Sequence, residues 1–292
     1  MKVLHTINNP MPPLWMMFPE LPQASMGWRM GYGESYSIEF MNWFKELSSN
    51  EKQQYQHLFP APKMWRGFYD EFSDKGFDIK AFKKYFLYGV QLWNQSDEPQ
   101  YSKEKIINEQ QLRSKSDFAF FWHNGNDIFD CFSQWRTSNF QVSINRYSCC
   151  EQYMMAEKAR IFDDEQVRKK IMETTDPMDM KILGRQVKKF RDKKWDKVKY
   201  SVVLNANYYK FTQNKEMREI LLDTGNKIIV EASPTDMIWG IGFVKEKPEA
   251  TNPKLWRGEN LLGFALMEVR DEIKKVYENY DKIDWRQFEK YR

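Results

Sequence analysis

Ser148-Cys149-Cys150-Glu151-Gln152-Tyr153-Met154-Met155-Ala156-Glu157-Lys158-Ala159 is the stretch from which the architecture of this chain is best read. A serine followed three residues later by a glutamate has the spacing of a capping box, and it opens a helix over Glu151–Phe162. Glu151, Met155, Lys158 and Phe162 share one face of that helix. Glu151 and Lys158 stand two turns apart, about 10 Å by helix rise, so they bracket a ligand rather than pair directly. Two readings of Glu151 stay open: it completes the box with Ser148, or it serves a ligand. Lys158 is either a surface lysine or a ligand cation.

Working outward, helical punctuation continues. Asp176-Pro177 sets a capping side chain before a proline at the first helical position. The helix that follows carries Met178, Ile182, Leu183, Val187 and Phe190 on one face. Trp195, Val198, Val202, Val203, Ala206 and Tyr209 repeat at helical spacing. A helix starting at Asn214 stops at Gly225, and Ile228-Ile229-Val230 is a β-branched run that reads as a short buried strand. The last helix spans Leu261–Asn279, with Leu262, Ala265, Leu266 and Val269 inward. Toward the N-terminus, Pro10, Pro12, Pro13, Pro19 and Pro22 punctuate an irregular stretch threaded with Trp15, Met16, Met17 and Phe18. Phe40, Trp43, Phe44 and Leu47 have helical spacing, Ser48 or Ser49 caps a helix that stops near Pro60, and a third helix is expected over Phe77–Trp93. The polar stretch Asn94–Gln100 suggests a boundary. The texture differs between residues 1–112, an accessory extension, and residues 113–292, which hold the clearer motifs. The pattern is helix-rich with little sheet.

Composition narrows the function. The chain has 292 residues, enough for one large domain or two modest ones. Eleven Trp, fifteen Tyr and twenty-one Phe supply core filling and stacking surfaces for planar ligands. A net charge of +4 from 45 basic and 41 acidic residues permits phosphate contact without demanding it. The densest basic run, Lys188–Lys194, reads as a solvated face or loop. Cys131, Cys149 and Cys150 form no disulfide framework, and His5, His57 and His123 have no metal-ligand spacing. No apolar run reaches the roughly 18 residues of a membrane span, so a soluble, cytoplasmic protein is expected. Gly31-Tyr32-Gly33 follows no strand and lacks the third glycine of a phosphate loop.

Three further segments hold polar residues that a purely structural sequence does not need. Asn205-Ala206-Asn207-Tyr208-Tyr209-Lys210-Phe211 puts asparagines inside a helical pattern, where their side chains compete for backbone hydrogen bonds. Asn207 and Lys210, one turn apart, either face a polar pocket or mark a helix end. Glu231-Ala232-Ser233-Pro234-Thr235-Asp236-Met237-Ile238-Trp239-Gly240-Ile241-Gly242 follows the expected strand. Its carboxylate, tryptophan and glycines suit a loop that approaches a ligand, with Asp236 as a plain turn residue the competing reading. Trp256–Gly263 contains Asn260, well placed as an N-cap.

Together with Phe132-Ser133-Gln134-Trp135 and Leu183-Gly184-Arg185, and with Leu266-Met267-Glu268-Val269-Arg270, these segments resemble the NADAR (YbiA-like) family over roughly residues 118–274. The resemblance implies a compact, mainly helical α+β domain with N-glycosidase activity on a small phosphorylated ribosyl substrate. The substrates implied are early riboflavin-pathway intermediates, in which ribose 5-phosphate is joined to a diaminopyrimidinone. Some members of the family instead remove ADP-ribose from guanine in nucleic acid, and a non-catalytic module binding NAD or ADP-ribose is the third reading. Residues 1–112 lie outside the pattern.

Cleaving an N-glycosidic bond builds positive charge on the sugar carbon, which nearby carboxylates stabilise while orienting the attacking water. Under the resemblance, Glu151 takes the place near the ribose and Asp236 is the second carboxylate or substrate anchor. Lys158, Lys210 and Arg185 are the phosphate ligands expected, since cationic donors suit phosphate. Trp135 and Trp239 stack on the base, and Asn207 hydrogen-bonds the ribose or base edge. The chemistry requires no metal and no redox cofactor.

Overall fold

A computed structural model of the chain describes residues 5–73, 76–109, 117–122 and 127–291. His123 and the expected 112/113 boundary lie outside the described residues. The chain forms two compact units. One comprises Met1–Lys84, Gln141–Asn145 and Glu272–Arg292; the other comprises Tyr85–Phe140 and Arg146–Asp271.

The first unit is built from short helices and aromatic rings. Helices α1 (Leu14–Met17) and α2 (Gly27–Met30) precede α3 (Glu34–Glu46), α4 (Ser49–Leu58) and α5 (Ile79–Lys83). Ser48 caps α4 in a full capping box with Glu51, as its spacing suggests. The proline-rich stretch is not a surface strand of loop: Trp15, Met16, Met17 and Phe18 are buried. Its carbonyls are anchored by phenols, Tyr55 donating to Met11 O at 2.7 Å. Phe40, Phe44, Tyr55, Phe68 and Trp15 pack ring against ring, the geometry by which aromatic quadrupoles add to burial.

The expected third helix over Phe77–Trp93 is not formed. Its helical part ends at Lys83, and a hairpin follows, β1 (Phe86–Leu87) against β2 (Val90–Gln91). Tyr88 and Gly89 carry positive φ, 50° and 73°. Two consecutive left-handed residues make the tight turn whose twist suits a hairpin, and no helix can pass through them.

The second unit continues with α6 (Lys103–Glu109) and β3 (Phe118–Phe121); in the hairpin β4 (Phe140–Val142) and β5 (Asn145–Tyr147) that follows, Gln141–Asn145 fall in the first unit. Helices α7 (Cys150–Ile161), α8 (Glu165–Glu173), α9 (Pro177–Arg185), α10 (Asp192–Trp195), α11 (Lys199–Gln213) and α12 (Lys215–Asp223) follow in the second unit, then β6 (Ile228–Glu231) and α13 (Leu261–Tyr277), whose residues from Glu272 onward fall in the first. Among the described residues no helix is long and apolar enough to cross a membrane. Asp176 caps α9 as its sequence suggests, accepting from the Met178 and Asp179 N–H groups.

Helix α11 is the centre of this unit, every residue from Tyr200 to Thr212 being buried. The Asn94–Gln100 stretch belongs to this centre and is no linker. Asp97 accepts hydrogen bonds from the N–H groups of Tyr200 at 3.1 Å and Ser201 at 2.8 Å, satisfying open donors at the start of α11. The Trp93 indole donates to Asn205 Oδ1 at 2.8 Å, and Asn205 Nδ2 donates to Gln91 O.

Strands β3 and β6 pair in parallel, Phe118 opposite Ile228 through Phe121 opposite Glu231. Both strands therefore end at the same edge, which brings Trp122 beside Glu231 and Ser233. The edge beyond the carboxyl ends of parallel strands is where open α/β arrangements take ligands.

Candidate active site

The cavity of the second unit opens at that edge. It measures about 770 Å³ and its wall includes Trp135, Glu151, Lys158, Arg185, Asp236 and Trp239. These are six of the eight side chains put forward under the resemblance, and they come from four distant pieces of chain.

Glu151 reaches the cavity because it is not a cap. Helix α7 begins at Cys150 with Cys149 at the N-cap position, and no side chain caps it there. Gln152 does the work expected of Glu151: its Oε1 accepts from the Ser148 N–H at 2.7 Å, while its Nε2 donates to Ile171 O at 3.0 Å. The Glu151 N–H is taken by Gln134 O at 3.0 Å, leaving the carboxylate to face the cavity. Burial raises its pKa from 4.5 to about 7. Lys181, a hydrogen bond from Trp135 and Lys158 pull the other way, and Asp236 adds to the rise.

Asp236 does serve as a turn residue. Its Oδ1 accepts from the N–H groups of Ile238 at 2.9 Å and Trp239 at 2.8 Å. The turn occupies one oxygen and sets the carboxyl at the cavity wall, so the two readings of Asp236 are compatible. The glycines expected to bring this loop close to a ligand, Gly240 and Gly242, lie against protein: a Cβ would meet Glu231 O and Ser233 Cβ at 3.0 Å on the first, and Arg257 Cβ and Met237 Sδ at 2.8 Å on the second. A Cβ on Gly258 would collide with Gly240 O, and one on Gly263 with Ile229 O. These glycines allow backbone to lie on backbone, Asn260 N–H donating to Gly240 O and Leu262 N–H to Trp239 O, both at 3.1 Å. Asn260 stands at the residue before α13, but its buried side chain is spent on β6, accepting from Glu231 N–H and donating to Ile229 O, each at 3.0 Å.

The cations come from α7 and α9. Lys158 lies over the Phe190 ring at 4.1 Å, and burial lowers its pKa, with Asp192 opposing and Arg185 adding to the fall. Two cations that feel each other across a half-buried space favour an anion between them. Helix α9 lies close to α7 because Gly184 has no side chain; a Cβ there would collide with Met155 Sδ. The apolar face expected on α9 is only partly a core face, since Val187 is buried whereas Met178 and Ile182 are exposed.

The NADAR domain family matches residues 120–274 of this sequence. The chain belongs to the NADAR family. Among relatives, N-glycosidase R617 of Acanthamoeba polyphaga mimivirus is 43% identical over 166 residues, covering 54% of this chain and 98% of that protein. Protein irg-1 of Caenorhabditis elegans is 40% identical, with 53% and 74% covered. N-glycosidase YbiA of Escherichia coli strain K12 is 30% identical, with 52% and 86% covered. The solution structure of the E. coli protein YbiA overlies 57% of this chain and 90% of its own at 29% identity and a TM-score of 0.46.

Two expected residues do not line the NADAR cavity. Asn207 and Lys210 are fully buried on α11. Asn207 Nδ2 donates to Val203 O one turn back at 2.9 Å, the local bond that asparagine makes inside a helix. Lys210 Nζ donates to Ser133 O at 3.1 Å, beneath the Ser133-Gln134-Trp135 turn that forms part of the wall. Its task as seen here is to hold that turn.

Several wall residues escaped the sequence reading. Lys181, one turn before Arg185 on α9, lies 5.7 Å from the Trp135 ring and acts electrostatically on Glu151 and on Glu231. Its spacing to Arg185 was the signal available. Glu231 ends β6 on the wall, and Trp122 follows β3. Strand alternation alone does not say which of these ends opens on a cavity.

Proposed function

We propose that this cavity hydrolyses the bond between a phosphorylated ribose and a nitrogenous base, with ribosylaminopyrimidine phosphates of the riboflavin pathway as the substrate class. The coarser activity follows from membership: the chain is a NADAR protein with relatives named N-glycosidases, hydrolases of N-glycosyl bonds. The observation that carries the finer reading is the meeting of Glu151 and Asp236 with Lys158 and Arg185 in one cavity. Carboxylates stabilise positive charge at the anomeric carbon and orient water, while paired cations hold a phosphate. Trp135 and Trp239 supply flat apolar faces for a base. A second reading, removal of ADP-ribose from guanine in nucleic acid, is favoured by the size of the cavity. At about 770 Å³ it lies in the upper part of the usual range for ligand sites.

The test offers the purified protein a ribosylaminopyrimidine 5-phosphate and, separately, DNA carrying ADP-ribosylated guanine. Release of ribose 5-phosphate from the first at the higher kcat/KM supports the small substrate. Preferential release of ADP-ribose transfers the assignment to the second, and cleavage of neither leaves a binding module.

A further inference from the structure

We propose that Glu231 is the general acid of this cavity, giving its proton to the leaving nitrogen of the base as the glycosidic bond breaks. The assignment rests on the N-glycosidase reading above and adds a third carboxyl group with a role of its own.

The backbone of Glu231 is held on both sides. Its N–H donates to Asn260 Oδ1 at 3.0 Å and its carbonyl accepts from Ile241 N–H at 3.0 Å. Asn260 is itself fully buried and tied to Ile229 O, so the last residue of β6 has little freedom. The side chain lines the cavity, yet Oε2 is shielded from solvent with no hydrogen-bond partner among the described residues. A buried carboxyl oxygen left without a partner on a cavity wall is a group whose partner is the ligand.

The charges facing it decide its protonation. Asp236 from the loop, Glu151 from α7 and Lys181 from α9 are the groups that act on it. Burial first, then Asp236, raise its pKa to about 8, against the opposing pull of Lys181. Glu151 has Lys181, the Trp135 hydrogen bond and Lys158 in support of its charge, and stands lower, at about 7. Interacting carboxyls lose protons as a set, and the environment assigns the proton at neutral pH to the member with less cationic support. Glu231 is then the acid and Glu151 the base.

The step balances. The bond from C1′ to nitrogen breaks, its electron pair passes to nitrogen, and the Glu231 O–H proton follows to the same atom. Glu151 and Asp236 face the positive charge left on C1′ and the ring oxygen. A water oxygen bonds to C1′ and one of its protons goes to Glu151; exchange through solvent returns that proton to Glu231. The products are the base bearing N–H and ribose phosphate bearing a 1-hydroxyl.

The test compares two substrates across pH with the unmodified chain and with Glu231→Gln. One is a ribosylaminopyrimidine 5-phosphate; the other is 4-nitrophenyl riboside 5-phosphate, whose phenolate leaves without a proton. With the unmodified chain, kcat/KM for the nitrogen substrate is expected to fall on the alkaline side and that for the nitrophenyl substrate to hold level. Glu231→Gln should slow the nitrogen substrate at least about 100-fold and leave the nitrophenyl substrate near its original rate. Equal slowing of both, no slowing of either, or an alkaline fall shared by both substrates in the unmodified chain overturns the assignment. The pH profile of the unmodified chain decides the matter even where the variant does not fold. Turnover of neither substrate by the unmodified chain rejects the small-substrate reading on which this assignment rests, and the assignment with it.

Discussion

Helices α7 and α11 are both buried, and each carries polar residues that the sequence marks as chemically interesting. On α7, Glu151 is 6% exposed and opens onto the cavity with its carboxylate uncommitted to a cap. On α11, Asn205, Asn207 and Lys210 are equally buried, yet each spends its hydrogen bonds inside the fold, on Gln91 and Trp93, on Val203 and on Ser133. A buried polar group must be satisfied by the protein or by what the protein binds. The space that the side chain borders, and not burial or residue type, separates the two helices: Glu151, though hydrogen-bonded by Trp135, opens on the cavity, whereas the α11 groups face only protein.

The contrast is broken or sharpened by a graded set of variants. The largest effect is expected from Glu151→Gln, which should lower turnover at least about 100-fold while the chain stays folded, as no cap is lost. Near-normal turnover by folded protein would remove Glu151 from the chemistry and put α7 on a level with α11. The same variant should melt higher than the unmodified chain at pH 8 and equally at pH 4. A carboxyl whose folded pKa is raised holds more protons folded than unfolded between 4.5 and about 7, so its contribution to stability declines as pH rises through that window. Asp236→Asn keeps the oxygen that accepts from Ile238 and Trp239, so a rate loss of about 10-fold or more with unchanged melting would isolate the charge from the turn.

Lys158→Met should raise KM for a 5′-phosphorylated substrate about 10- to 100-fold, the equivalent of one hydrogen bond to a charged group, with little change for the unphosphorylated nucleoside. An equal rise for both would detach Lys158 from phosphate. Lys210→Met is the α11 counterpart. It should cost about 1–3 kcal/mol in denaturant unfolding by leaving Ser133 O unsatisfied, and should leave the phosphate dependence of KM unchanged. A selective loss of phosphorylated substrate would instead return Lys210 to the cavity.

Much of the fold was legible from local signals. The caps at Ser48 and Asp176, the strand at Ile228–Val230 and the termination near Gly225 all form as their residues suggest, because each depends on neighbours within a turn. The Phe77–Trp93 helix fails because the apolar spacing ignored two residues at positive φ, a backbone choice that dominates local periodicity. At the site, Glu151 and Asp236 were legible as candidate carboxyls, whereas Glu231 was visible only as the end of a strand. Its significance depends on an unpartnered oxygen and on Asp236, Glu151 and Lys181 arriving from three other elements.

The amino-acid sequence alone determined the helix-rich α+β class, most element ends and the family, because propensities, caps and motif order are properties of short stretches. Tertiary structure alone decided which polar side chains meet in one space. It seated Gln152 on Ser148 and released Glu151, sank Lys210 beneath a turn, and ended β3 and β6 at a common edge. Hydrogen-bond satisfaction in the interior is a competition among groups distant along the chain, and no local reading contains the competitors.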